Sequence, residues 1–163
     1  MLLILMRHSK TEGAHPQGDH ARELLERGRG DAARVGELLA DYDVDHALVS
    51  TAARTRQTFD ALGLDIPVEY LDTIYHQDVE EIAQRIAEVP EDVQTLLIIG
   101  HAPSIPGMAM ELARDAGSHA EADDVARHFP TSMFVVFDVE GAWEQLADPG
   151  AFDSVRLARI ERP

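Results

Sequence analysis

The sequence predicts an α/β fold, a three-layer αβα sandwich whose mainly parallel central sheet carries helices on both faces. Thr95-Leu96-Leu97-Ile98-Ile99 and Met133-Phe134-Val135-Val136-Phe137 are apolar on both faces, the pattern of interior strands covered on both sides. Candidate strands also alternate with segments of helical period, as in sheets joined by crossover helices. With 163 residues, 45% of them hydrophobic, the chain can build one compact core and is short for two. Residues 1–163 are therefore read as a single domain.

The elements follow in order. Leu2-Leu3-Ile4-Leu5-Met6 is a short apolar run and reads as a buried strand over 2–6. Gly28, Ala32, Val35 and Leu39 then recur at helical spacing, in a helix ending near Tyr42. A second strand spans 46–50. The next helix runs from Ala52 to Leu62 behind a Ser50-Thr51 cap and stops at Gly63. A strand at 67–71 precedes a helix that places Val79, Ile82, Ile86 and Val89 on one face and ends before Pro90. After the strand at 95–99, Pro103 stands where a helix start tolerates proline, and that helix continues to about Ala116. The last strong strand covers 132–139. Glu140-Gly141 and Pro149-Gly150 read as turns, so the C-terminal part adds a hairpin or an edge strand. Residues 11–20 and 115–131 are rich in His, Asp and Gly and are expected to be rim loops.

Composition excludes several classes of function. Fourteen basic residues against 30 acidic ones give a net charge of -16. No cluster of Lys and Arg offers a footprint for nucleic acid or an anionic membrane, so neither is expected as a partner. No apolar run approaches the roughly 18 residues that span a bilayer. The N-terminal run lacks the basic flank and cleavage site of a signal peptide, so the default compartment is cytoplasmic. The chain has no cysteine, which removes disulfides, thiolate metal sites and cysteine nucleophiles together. Histidines at HxxxH or HExxH spacing are missing as well, so no metal and no cofactor is expected.

Against this acidic background, Arg7-His8 leaves the first strand abruptly. Charge at the exit of a buried strand points to a site. Ligands of open parallel sheets bind outside the carboxyl ends of the strands. There the first strand delivers Arg7 and His8, the second Ser50 with Arg54 in the following helix, and the strand at 95–99 delivers Gly100-His101. Two guanidiniums, two imidazoles and a helix N-terminus suit a phosphoryl group, which uses more of these donors than a carboxylate does. Singly, each has a plainer reading: Arg7 in an ion pair, Arg54 on a solvated helix face, His101 as a structural histidine. Their convergence favours a site. His15, His20, His46, His119 and His128 are assigned no role.

Arg7-His8-Ser9-Lys10, Ser50-x-Ala52-x-Arg54-Thr55-x-Gln57-Thr58 and Gly100-His101-x-Pro103, in that order, resemble the motifs of the histidine phosphatase superfamily, with its phosphoglycerate mutase-like fold. The short chain and the segment from Asp19 to Gly28 are most similar to the SixA branch of phosphohistidine phosphatases, whose pattern there is Asp-x-x-Arg-Pro-Leu-Thr-x-x-Gly. Ser9 stands where the superfamily commonly has glycine. Glu23 and Leu25 stand where the branch has Pro and Thr.

The resemblance implies that His8 is a nucleophile that becomes transiently phosphorylated. Arg7, Arg54 and His101, the last as a proton-bearing donor, would hold the phosphoryl oxygens, with Arg22 near the substrate. His8 should be neutral, its pKa lowered by the positive charges around it, with its second ring nitrogen donating to a backbone carbonyl. Larger relatives place a glutamate general acid after the third strand. Here that stretch offers His76 and Asp78, each more simply a loop or cap residue. A missing acid favours a good leaving group. The expected substrate is a phosphohistidine on a protein; the alternatives are a small phosphorylated metabolite or a non-catalytic phosphate-binding module.

Overall fold

The computed structural model describes residues 1–76, 78–147 and 155–163. Its strands are β1 (Leu2–Arg7), β2 (His46–Ser50), β3 (Val68–Leu71), β4 (Thr95–Gly100), β5 (Phe134–Val139) and β6 (Val155–Glu161). The helices are α1 (Glu26–Leu39), α2 (Ala53–Leu62), α3 (Thr73–His76), α4 (Val79–Ala87), α5 (Ser104–Asp115) and α6 (His119–Arg127). They form one sheet of order β3-β2-β4-β1-β5-β6. Strands β3, β2, β4 and β1 pair in parallel, while β5 and β6 are antiparallel. The expected C-terminal edge strand is β6; the Pro149-Gly150 turn lies outside the described residues.

Alternation along the strands divides the core into two layers. Leu3, Leu5 and Ile98 face α4, α5 and α6, together with Trp143. Ile4, Met6, Leu97 and Ile99 face α1 and α2 through Val35, Leu39, Phe59 and Leu62. The central strands are therefore apolar on both faces because helices cover both. Gly36 allows α1 to approach α2: a Cβ there would lie 2.0 Å from the Leu62 carbonyl oxygen.

Two expectations require correction. Residues 115–131 are not simply a rim loop, because His119–Arg127 form α6. Its buried face consists of Ala122 and Val125 alone, a stripe too thin to show as helical period, and it gains stability by packing on α5. The cap of α2 also differs. Ala52 is the N-cap with no side-chain bond, and the Thr51 hydroxyl donates to Asp72 instead.

Parallel pairing gathers the ends of β1, β2 and β4 at one edge of the sheet. Because β5 runs the other way, its start brings Thr131 and Ser132 to that same edge.

Candidate active site

The converging ends enclose a cavity of about 420 Å³ lined by Arg7, His8, Arg22, Arg54 and His101, with Lys10, Glu12, Asp19 and Thr131 around them. All five predicted site residues are thus brought together.

His8 extends the end of β1, its backbone N–H donating to the Gly100 carbonyl across the sheet. The ring is 7% exposed. Its Nδ1 lies 2.8 Å from the Ser9 carbonyl oxygen. A carbonyl only accepts, so Nδ1 carries the proton and Nε2 keeps its lone pair. Burial, with smaller contributions from Arg54, Arg7 and Arg22, lowers the His8 pKa to about 4. The ring is neutral at physiological pH, chiefly through desolvation and only secondarily through the neighbouring charges.

Arg54 projects from the first turn of α2 and is buried. It is not a residue of a solvated helix face. Its Nε donates to His101 Nδ1 (3.2 Å), Nη1 to the Asp19 carbonyl (2.8 Å) and Nη2 to Asp19 Oδ2 (3.0 Å). Arg22 donates from Nη1 to Asp19 Oδ1 at 2.8 Å, and from Nε and Nη2 to the Glu12 carbonyl. Arg7 Nη1 donates to the Phe129 carbonyl at 2.7 Å, and its buried Nε has no partner among the described residues. Nor does Arg7 enter an ion pair among them, so the plainer reading of that residue fails.

His101 departs from its expected role. Its Nδ1 accepts from Arg54, so its proton sits on Nε2, 2.8 Å from the Ser50 hydroxyl. Both ring nitrogens are engaged within the protein. Burial, then the charge of Arg54, lowers its pKa to about 3. In this arrangement His101 is neutral and supports Arg54, and its one ring proton is directed at Ser50.

The sequence reading gave no role to Asp19, Tyr75, Thr58 or Ser132, although Asp19 and Thr58 stand within the motifs that carry the resemblance. Asp19 joins Arg22 to Arg54 and accepts from the Tyr75 hydroxyl at 2.9 Å. Arg22 foremost, with Tyr75 and Arg54, holds its carboxyl well below the usual range. Tyr75 lies edge-on to His101, with ring centroids 5.5 Å apart. The signal for Asp19 was its place at the head of the Asp-x-x-Arg pattern, three residues before Arg22. Of the acid candidates, Asp78 is the N-cap of α4, accepting from the Glu81 N–H, and His76 lies at the end of α3, outside the cavity lining. Among the described residues no three His, Asp or Glu side chains group as a metal site, and no helix is long and apolar enough to cross a membrane.

The sequence profile of the histidine phosphatase superfamily (branch 1) matches residues 3–122. The chain belongs to the histidine phosphatase superfamily. An uncharacterized protein of Mycobacterium tuberculosis (strain ATCC 25618 / H37Rv) is 37% identical over 150 residues, covering 89% of this chain and 93% of that one. Among solved structures, a protein provisionally assigned as phosphohistidine phosphatase SixA from Nakamurella multipartitia is 36% identical, with a TM-score of 0.88 over 99% of this chain and 95% of its own. Its counterpart from Agrobacterium tumefaciens, assigned in the same way, is 30% identical, with a TM-score of 0.80 over 99% and 97%. The superfamily's phosphoglycerate mutase-like fold is the one the sequence predicted.

Proposed function

We propose that this histidine phosphatase takes a phosphoryl group onto His8 Nε2 and passes it to water, and that it draws the group from a phosphohistidine on a protein. The observation that carries this reading is the His8 ring, its proton held at Ser9 and its Nε2 lone pair free beside three guanidiniums. In the first step Nε2 bonds to phosphorus. The bond from phosphorus to the substrate's imidazole nitrogen breaks, and its electron pair leaves with that nitrogen, which takes a proton from solvent. In the second step water attacks phosphorus, the bond to Nε2 breaks, and inorganic phosphate departs with His8 neutral again. Arg7, Arg22 and Arg54 stabilise charge on the equatorial oxygens. His101 supports Arg54 through its Nε.

Two features favour phosphohistidine. The first is the state of the cavity's carboxylates. Asp19 is bound by two guanidiniums and held ionised, and Glu12 Oε1 accepts from the Glu23 N–H. A phosphoester needs a proton on its leaving oxygen, whereas an imidazole leaves readily without an enzymic acid. The second is an apolar groove of about 370 Å³, lined by Pro103, Pro106, Met110 and Phe129, that shares Ala102 with the cavity. A polypeptide threading past His8 could seat an apolar side chain there.

Acid-quench labelling with a phosphohistidine protein tests the covalent step. Label should appear on His8, and His8→Ala should abolish both label and turnover with the fold intact; residual turnover would place the nucleophile elsewhere. Turnover of a panel of phosphate esters faster by orders of magnitude would replace the protein substrate with a metabolite.

A further inference from the structure

Ser9, whose carbonyl receives the His8 Nδ1–H, is itself pinned from two directions. It is fully buried. Its backbone N–H donates to Thr58 Oγ1 at 3.0 Å, and the Thr58 hydroxyl donates to the Arg54 carbonyl at 2.6 Å. On the other side, the Ser132 hydroxyl donates to Ser9 Oγ at 2.7 Å. The Ser132 backbone N–H also reaches the carbonyls of Arg7 and His8, each at 3.2 Å.

Ser132 is 1% exposed and has a φ of 68°. This is the left-handed region, which serine enters at a free-energy cost and glycine enters freely. A glycine would make the turn and keep the backbone N–H, but it would lack the hydroxyl. At position 9 the superfamily's common glycine would likewise offer no acceptor. The hydroxyl pair therefore exists only because both positions are serine.

We propose that Ser132 and Ser9 are a positioning pair that fixes the Ser9 carbonyl and so holds His8 in the Nδ1–H tautomer, with Nε2 turned into the cavity. Its consequence for turnover rests on His8 being the nucleophile; the tautomer itself does not.

The test uses the full chain labelled with 15N-histidine, with the His8 tautomer read by NMR near neutral pH. Ser132→Gly suits the positive φ and removes the hydroxyl; Ser9→Ala removes the acceptor and keeps Ser132. In wild type His8 should be wholly Nδ1–H. In both variants the Nε2–H form should become populated at about one fifth or more. Loss of one buried hydrogen bond, net about 1 kcal/mol, corresponds to a shift of about five-fold in the tautomer ratio, and kcat on a phosphohistidine protein should fall only in proportion to the Nδ1–H fraction lost, with KM unchanged. A His8 ring that stays wholly Nδ1–H in both variants, whatever their turnover, would overturn the proposal. A shifted tautomer in a protein whose wild type has no phosphatase activity would support the positioning pair and overturn the proposed function instead.

Discussion

Acid should weaken this fold in a way that can be traced to His8. In the native state its pKa is lowered from 6.5 to about 4; in the unfolded chain it returns to the ordinary value. Between those values the unfolded state binds a proton that the native state refuses, so stability falls as pH falls. The loss begins below pH 6.5 and is complete below about pH 4. Moving from about pH 7.5 to about pH 4.5 removes roughly 2.5 kcal/mol through this one ring. Many carboxylates titrate over the same range, so the assay must isolate His8. Urea denaturation of wild type and His8→Asn at both pH values does this, since asparagine keeps an N–H for Ser9 but does not titrate. The other groups, His101 included, largely cancel in the comparison. The wild type should lose about 2.5 kcal/mol more than the variant between the two conditions. Equal losses within about 0.5 kcal/mol would mean that His8 is not held neutral, and the account of the nucleophile would fail with it.

Other perturbations address the rest of the site. Arg54→Ala should lower turnover of a phosphohistidine protein by roughly 100-fold or more, the effect of removing one preorganised charge-stabilising donor; a change of a few-fold in stopped-flow turnover would remove Arg54 from that role. Met110→Glu puts a charge in the apolar groove beside the cavity. It should reduce kcat/KM on a phosphohistidine protein about ten-fold while leaving a small phosphoramidate within two-fold, and equal effects on both would deny the groove a part in substrate choice. Gly28→Ala places a Cβ 2.1 Å from the Lys10 carbonyl oxygen. Because backbone cannot yield there, a destabilisation of about 1–3 kcal/mol is expected in urea denaturation.

The frame of the site was legible because a parallel sheet turns sequence order into spatial order. Three apolar strands end in Arg7-His8, in Ser50 with Arg54 a turn later, and in Gly100-His101, and parallel pairing leaves those ends nowhere else to gather. What escaped was whatever depends on tertiary packing. Asp19 and Tyr75 lie in short, weakly periodic segments, and only the fold brings them within hydrogen-bond distance. The strand predicted over 132–139 begins at Phe134, and the positive φ of Ser132, which lay inside the predicted span, carries no signature in one dimension. His101 was expected, from the resemblance, to be a proton-bearing donor to the phosphoryl oxygens. Burial and the Arg54 Nε–H reverse that, and neither can be read before the side chains are placed. Leu25 is instructive in the opposite sense. It stands where the branch has threonine, and α1 duly begins there without a side-chain cap.

The placement of β1 between β4 and β5 has a consequence for the chain's life on the ribosome. Arg7 and His8 emerge first, yet Arg7 is anchored by the Phe129 carbonyl, and the peptides on either side of His8 are tied to Gly100 and Ser132. A nascent chain short of β5 holds a potential nucleophile without its final supports. Synthesis runs from the N-terminus, so the residues translated first acquire their chemistry last. The pocket is complete only when most of the polypeptide has been made.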